Sequence, residues 1–282
     1  MSKNDFEIDN AAIQSREAEI AALSDADIIE RQVELEKIFL EMTEAVSNGK
    51  VRALIVSGPA GVGKSHGVEA ILSKHNLLNK IAGRKDKYEV VKGSMSSVGL
   101  YAKLYEYSEK GNVVVFDDCD EVLTEPESLN LLKGALDSNE RRFISWNKDS
   151  RLLRTESIPD RFEFCGSAIF ITNIKFDFVR SKKLRAHLQA LESRCHYIDL
   201  GMDTMREKML RIQHIVDKAG MLDRYGFDDV TIKVILDFIN DNRAKLGELS
   251  LRMVLKIADL RKTFPSTWQI MAKQTCMKPA KA

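Results

Sequence analysis

Paired cysteines, an excess of charge of either sign and long apolar runs are all scarce in this 282-residue sequence, and each shortage argues against a class of protein. The four cysteines, Cys119, Cys165, Cys195 and Cys276, form no C-x-x-C pair and take no ligand spacing with any of the five histidines. That argues against a structural zinc site and against a disulfide framework, and predicts reduced thiols in a cytoplasmic setting. Lys+Arg 43 against Asp+Glu 42 leaves a net charge of +1, so no global field draws the chain to nucleic acid or to a membrane surface. No apolar run is long enough to span a bilayer, which predicts no membrane partner. What remains is globular: 44% hydrophobic and 30% charged residues, in a length that buries one large core and a small satellite.

Against that plain background one segment stands out. Gly58-Pro59-Ala60-Gly61-Val62-Gly63-Lys64-Ser65 is a full G-x-x-x-x-G-K-[ST] phosphate loop, and Val51 to Ser57 before it is the short apolar strand such a loop must leave. The glycines let successive N–H groups turn inward around a β-phosphate, and the helix that follows through His66 offers its positive end. Lys64 would supply charge to the β and γ oxygens of ATP, and the Ser65 hydroxyl a ligand to Mg²⁺. A second feature is Val113-Val114-Val115-Phe116-Asp117-Asp118, an apolar strand ending in two carboxylates. Ligands of open α/β sheets sit outside the carboxyl ends of strands, so Asp117 is the candidate for the metal shell and Asp118 for orienting the attacking water.

Periodicity sets the frame. Helical spacing from Ile28 to Val46 closes at Asn48-Gly49; strands are expected near 51–57, 88–92, 112–116, 168–172 and 197–200, with helices between them. Alternation of this kind predicts an α/β fold with a parallel, helix-covered sheet. After Gly201 the strand signal stops and helical stretches follow at 205–219, 230–240 and 250–260. The expected division is a flexible arm over 1–24, an α/β nucleotide-binding domain over 25–201, a helical lid over 202–262 and a tail over 263–282.

These motifs resemble those of the AAA+ ATPases. Gly58 to Ser65 is similar to Walker A, Asp117-Asp118-Cys119-Asp120-Glu121-Val122 to Walker B, and Ile169-Phe170-Ile171-Thr172-Asn173 to the sensor 1 strand. Leu191-Glu192-Ser193-Arg194-Cys195 resembles the Ser-Arg-Cys box of clamp-loader subunits, and Leu249-Ser250-Leu251-Arg252 the sensor 2 motif. The resemblance implies a P-loop sheet with a helical lid, hydrolysis of ATP with Mg²⁺ and a homo-oligomeric ring, taken here as hexameric. It implies that Asn173 holds the water in line, that Arg194 reaches the neighbouring subunit's nucleotide and that Arg252 touches the γ-phosphate. Arg185 is a second finger candidate. One departure is plain: the family usually has Glu where this chain has Asp118, which shortens the reach by about 1.5 Å and predicts modest turnover. Val115 to Asp120, Leu132 to Asp137 and Ile144-Ser145-Trp146 also resemble stand-alone AAA+ proteins of tailed bacteriophages.

The target of such a motor is less legible. The pore-loop position, Gly93 to Tyr101, lacks the aromatic of protein-threading relatives. Between Arg141 and Phe164, arginines interleave with Phe143, Trp146, Phe162 and Phe164 in the pattern of a β-hairpin. Such a segment reads either as a platform for single-stranded DNA or as a strand that packs one face on the core. The basic run Arg180 to Arg185 reads as a solvated helix face or a nucleic-acid patch. Two function classes follow: a motor acting on DNA or a replication protein, or a nucleotide-gated assembly switch or protein remodeller with slow turnover and no direct nucleic-acid contact.

Overall fold

The computed structural model describes residues 10–179 and 181–279. Five strands, β1 (Ala53–Ser57), β2 (Tyr88–Lys92), β3 (Val113–Asp117), β6 (Ser167–Thr172) and β7 (His196–Asp199), form one parallel sheet in the order β2-β3-β6-β1-β7. β1, β3 and β6 are buried along their whole length, and edge strand β2 is only half-buried. Both faces of the central strands are covered, which is why they read as unbroken apolar runs rather than as alternating ones. β1 lies between β6 and β7, and β3 pairs on the far side of β6, so the parallel strands β1, β6 and β3 end on one edge of the sheet.

Two compact units divide the chain. The first comprises, among the described residues, 10–13, Leu35–Gly58 and Lys64–Leu200. Its core joins the sheet to α4 (Ser97–Glu106), α6 (Pro126–Ala135) and α8 (Lys182–Glu192) through Leu100, Leu104, Leu129, Leu132, Leu184 and Leu188, and Phe116 stacks on Phe170 at 5.3 Å. α3 (Lys64–Ile81) follows the phosphate loop, and Gly67 within it sits so close to Phe39 that a Cβ there would meet the ring at 2.5 Å.

A second, small sheet lies in this unit: β4 (Phe143–Ser145) pairs antiparallel with β5 (Arg161–Glu163), with Ile144 opposite Phe162. The hairpin expected from the sequence therefore exists, and α7 (Arg151–Thr155) sits in its connection. Its inner face, Ile144, Phe162 and Trp146, joins the main core against Tyr101, whose ring is 5.7 Å from Trp146 and 5.0 Å from Phe162. Trp146 is 8% exposed, so of the two readings of this segment the core-packing strand is the one the side chains take.

The second unit comprises Gln14–Glu34, Pro59–Gly63 and the chain from Gly201 onward. α9 (Met205–Ala219) opens on a reciprocal capping box between Thr204 and Glu207 and ends at Gly220 in a left-handed conformation, φ 62°. It packs with α10 (Asp229–Asn242), α11 (Leu251–Thr263) and α12 (Trp268–Thr275) around Ile212, Ile235, Phe238, Val254 and Ile257. The segment 263–282, expected as a tail, thus contributes a core helix: Trp268 is buried and meets Phe238 edge-on at 5.0 Å. The expected flexible arm is also partly ordered. Residues 1–9 lie outside the described residues, but α1 (Asn10–Ala21) is helical, Ile20 packs with Ile28 and Leu210, and Arg16 pairs with Asp203 at 2.9 Å. Among the described residues, no helix is long and apolar enough to cross a membrane.

Candidate functional site

The phosphate loop needs its glycines. Gly58, Gly61 and Gly63 have φ of 150°, 72° and 105°, conformations in which a side chain is strained. In the second unit the loop's apex packs against the start of α11: Leu251 N–H donates to Gly61 O at 3.0 Å, and a Cβ on Gly61 would meet Ser250 Cβ at 2.7 Å. Arg252, exposed at the second position of that helix, has its Cβ 3.6 Å from the same point. Val62 is buried, Pro59 half-buried, and Ala60 and His66 exposed.

In the first unit, three strand ends bring the polar residues together. Lys64, 5% exposed at the start of α3, donates from Nζ to Gly58 O at 2.6 Å and to Asn173 Oδ1 at 2.9 Å. Asn173, just beyond β6, donates from Nδ2 to Asp118 Oδ1 at 2.9 Å, so one amide links the lysine to the carboxylate. Burial pushes the Lys64 ammonium down from 10.5 to about 8, although the charges of Asp118 and Asp117 pull the other way. Ser65 Oγ donates to Asp117 Oδ1 at 2.9 Å. Asp118 itself has φ 55° and donates its N–H to Ile171 O at 3.0 Å. Aspartate is among the few residues that tolerate this left-handed backbone, a local reason for a short acid where the related motif carries Glu.

Arg194 is placed elsewhere in the first unit, after α8, where Nη1 donates to Ala190 O at 2.6 Å and Nε lies 3.7 Å from Asp137 Oδ1. Arg185 donates from Nε to Val179 O at 2.8 Å. Sequence reasoning missed three contributors. Thr172 Oγ1 donates to Asp120 Oδ1 at 2.7 Å, a bond that opposes the upward shift burial imposes on this carboxyl. Lys175 pairs with Asp199 at 3.0 Å. Lys92, opposite Asp117 in the β2–β3 register, lies 3.6 Å from Asp117 Oδ2. None of these forms a contiguous motif; strand order and register bring them in.

The chain is 36% identical over 233 residues to the uncharacterized 36.7 kDa protein of the nrdC-mobD intergenic region of Enterobacteria phage T4, covering 82% of this chain and 70% of that protein. The chain belongs to the same family as this phage protein. Its five-stranded parallel sheet and the helical unit are the fold that the AAA+ resemblance of its motifs implies. No protein-family model matches the sequence. Solved structures similar to this chain include a replication initiator DnaA bound to AMPPCP and single-stranded DNA, at 14% identity and TM-score 0.43, covering 86% of this chain and 64% of that one. Domain III of Thermotoga maritima DnaA is similar at 12% identity and TM-score 0.46, covering 86% and 91%. The fold rests on the sheet topology and the family on the phage relative.

Proposed function

We propose that this AAA+ protein binds and hydrolyses ATP at the subunit interfaces of a homo-oligomeric ring, hexameric in the simplest case, and uses the cycle to remodel or load a DNA- or replication-associated partner. The observation that carries the enzymatic part is the linked set Gly58–Lys64–Asn173–Asp118 beside Ser65–Asp117, at the carboxyl ends of adjacent strands. The loop over Gly58 to Ser65 takes the phosphates, and the buried Lys64 ammonium gives up two neutral acceptors for anionic oxygens. Ser65 Oγ and the Asp117 carboxylate are hard oxygen donors, the kind Mg²⁺ takes together with nucleotide phosphates. When bound, that ion supplies neutralisation of charge on the β and γ oxygens.

Asp118 accepts the proton of the attacking water and Asn173 fixes the carboxylate's orientation through the 2.9 Å bond. Arg194 serves the neighbour's site, where a cation donated in trans stabilises transition-state charge; in one chain it rests on Asp137. Arg252 approaches the γ-phosphate from the helix that abuts the loop.

The short acid on a left-handed backbone favours a second reading, a nucleotide-gated assembly switch with slow turnover. ATPase assays with and without single-stranded DNA separate the two: stimulation supports the motor, a flat low rate the switch. Asp118→Asn should keep ATP affinity and lose turnover, because the amide cannot accept the proton. Hydrolysis at the parental rate in that variant removes Asp118 from the mechanism.

A further inference from the structure

Lys92 has no place in the roles assigned above, yet it is held beside the metal-site carboxylate. β2 and β3 are parallel with Lys92 opposite Asp117, so both side chains emerge at the carboxyl edge of the sheet. Lys92 Nζ sits 2.7 Å from Glu69 Oε1 and 3.6 Å from Asp117 Oδ2. Ser65 and Glu69 are four residues apart on α3 and therefore share one face of it. The result is a closed circuit, Ser65–Asp117–Lys92–Glu69: one oxygen of Asp117 accepts from Ser65 and the other faces the ammonium.

We propose that Lys92 is the resident counter-ion of Asp117, which Mg²⁺ displaces on entering with nucleotide, so that Lys92 sets the magnesium requirement of the site. This rests on the reading of the site as one for nucleotide and Mg²⁺. Asp117 is 5% exposed and its charge needs compensation in the nucleotide-free protein. A divalent ion at the Ser65–Asp117 pair would stand beside the ammonium, and like charges at such separations repel. Displacement does not require Lys92 to be released to water. Its side chain is 58% exposed and already bonded to Glu69, so it can swing outward and keep that partner. The circuit therefore works as an exchange of cations on one carboxylate, with Glu69 as the holding point.

The test is the affinity for ADP, measured by calorimetry across a series of free Mg²⁺ concentrations and in chelator. Lys92→Gln should lower the Mg²⁺ concentration that gives half of the gain in ADP affinity by about three- to tenfold, the range expected for removing one partly screened charge. Lys92→Arg should keep the parental midpoint, and neither variant should change the metal-free ADP affinity by more than about twofold. An unchanged or higher midpoint in Lys92→Gln overturns the proposal. So does a large loss of metal-free ADP affinity in that variant, which would make Lys92 a phosphate contact instead. A parent protein that binds ADP with no dependence on Mg²⁺ removes the metal reading of the site, and this inference with it.

Discussion

At the carboxyl ends of β1, β3 and β6 the chain holds polar groups in positions that cost stability, whereas the β4–β5 hairpin uses cations and rings that stabilise it. Lys64 is buried and shifted down to about 8, three loop glycines adopt positive φ, and Asp118 is a non-glycine residue at φ 55°. In the hairpin, Arg142 donates to Ala135 O and Gly166 O, Arg141 makes two bonds to Glu163, and Arg154 and Lys148 pair with Asp149 and Glu127. Trp146 fills core space against Tyr101. The same residue types serve opposite ends, and what separates them is burial: Lys64 is 5% exposed, whereas the Arg141, Lys148 and Arg154 side chains are about two-thirds exposed beside their acids. Backbone strain and a buried charge at one site, and solvated ion pairs at the other, is the pattern expected where one region acts on a ligand and the other supports it.

The largest effect expected from this contrast is at Trp146. Trp146→Ala truncates a buried aromatic side chain and should cost about 3–5 kcal/mol, a fall of roughly 10 °C in melting temperature for a chain of this size. Trp146→Phe should cost much less, because it keeps the ring contact and removes an indole N–H that has no hydrogen-bond partner among the described residues. A Trp146→Ala protein with parental stability would break the comparison, since the hairpin would then not be core.

How far the sequence carried the reading depended on how local the signal was. The phosphate loop, the strand over 113–117 and the helix over Met205–Ala219 were legible because glycine spacing, an apolar run or helical periodicity lies within one short segment. Trp146 was ambiguous because strict alternation places Ile144 and Trp146 on one face and Phe143 and Ser145 on the other without saying which face is wet. α12 was missed for a different reason: Trp268 and Ala272 anchor a helix of only eight residues, too short for periodicity to show. Lys92 lies 25 residues from Asp117 in sequence, and only parallel pairing of β2 with β3 makes them neighbours.

A middle-sized effect is expected at Lys64. The folded value, about 8, lies below the ordinary 10.5, so the unfolded chain binds the extra proton between those two values. Stability therefore rises with pH across that window, and below it the full cost of the buried charge is present. Lys64→Met should accordingly stabilise the nucleotide-free protein near pH 7 by up to about 3 kcal/mol, while nucleotide affinity is lost. The difference between parent and variant should close as pH rises from about 8 to 10.5. Denaturant melts of both proteins in chelator, at several pH values, measure it. A variant less stable than the parent at neutral pH would show that the hydrogen bonds of Lys64 outweigh the cost of burying its charge.

The smallest effect is expected at Arg141, and it bears on whether the hairpin has any surface left for nucleic acid. Its guanidinium bonds Glu163 at 3.1 and 2.9 Å and lies 4.9 Å from the Phe143 ring, over which Arg161 also sits at 4.4 Å. The side chain is 68% exposed, so the ion pair is screened by solvent and salt. Arg141→Ala should leave the melting temperature within experimental error at physiological salt. If the partner is single-stranded DNA held through this ladder, the same change should weaken binding and reduce the slope of log affinity against log salt by about one, because one phosphate contact is lost. Glu163→Gln is the sharper arm: it removes the acid that occupies Arg141 and should strengthen any such binding at low salt. Affinity that ignores both substitutions assigns the hairpin to support alone and places any DNA contact elsewhere on the chain.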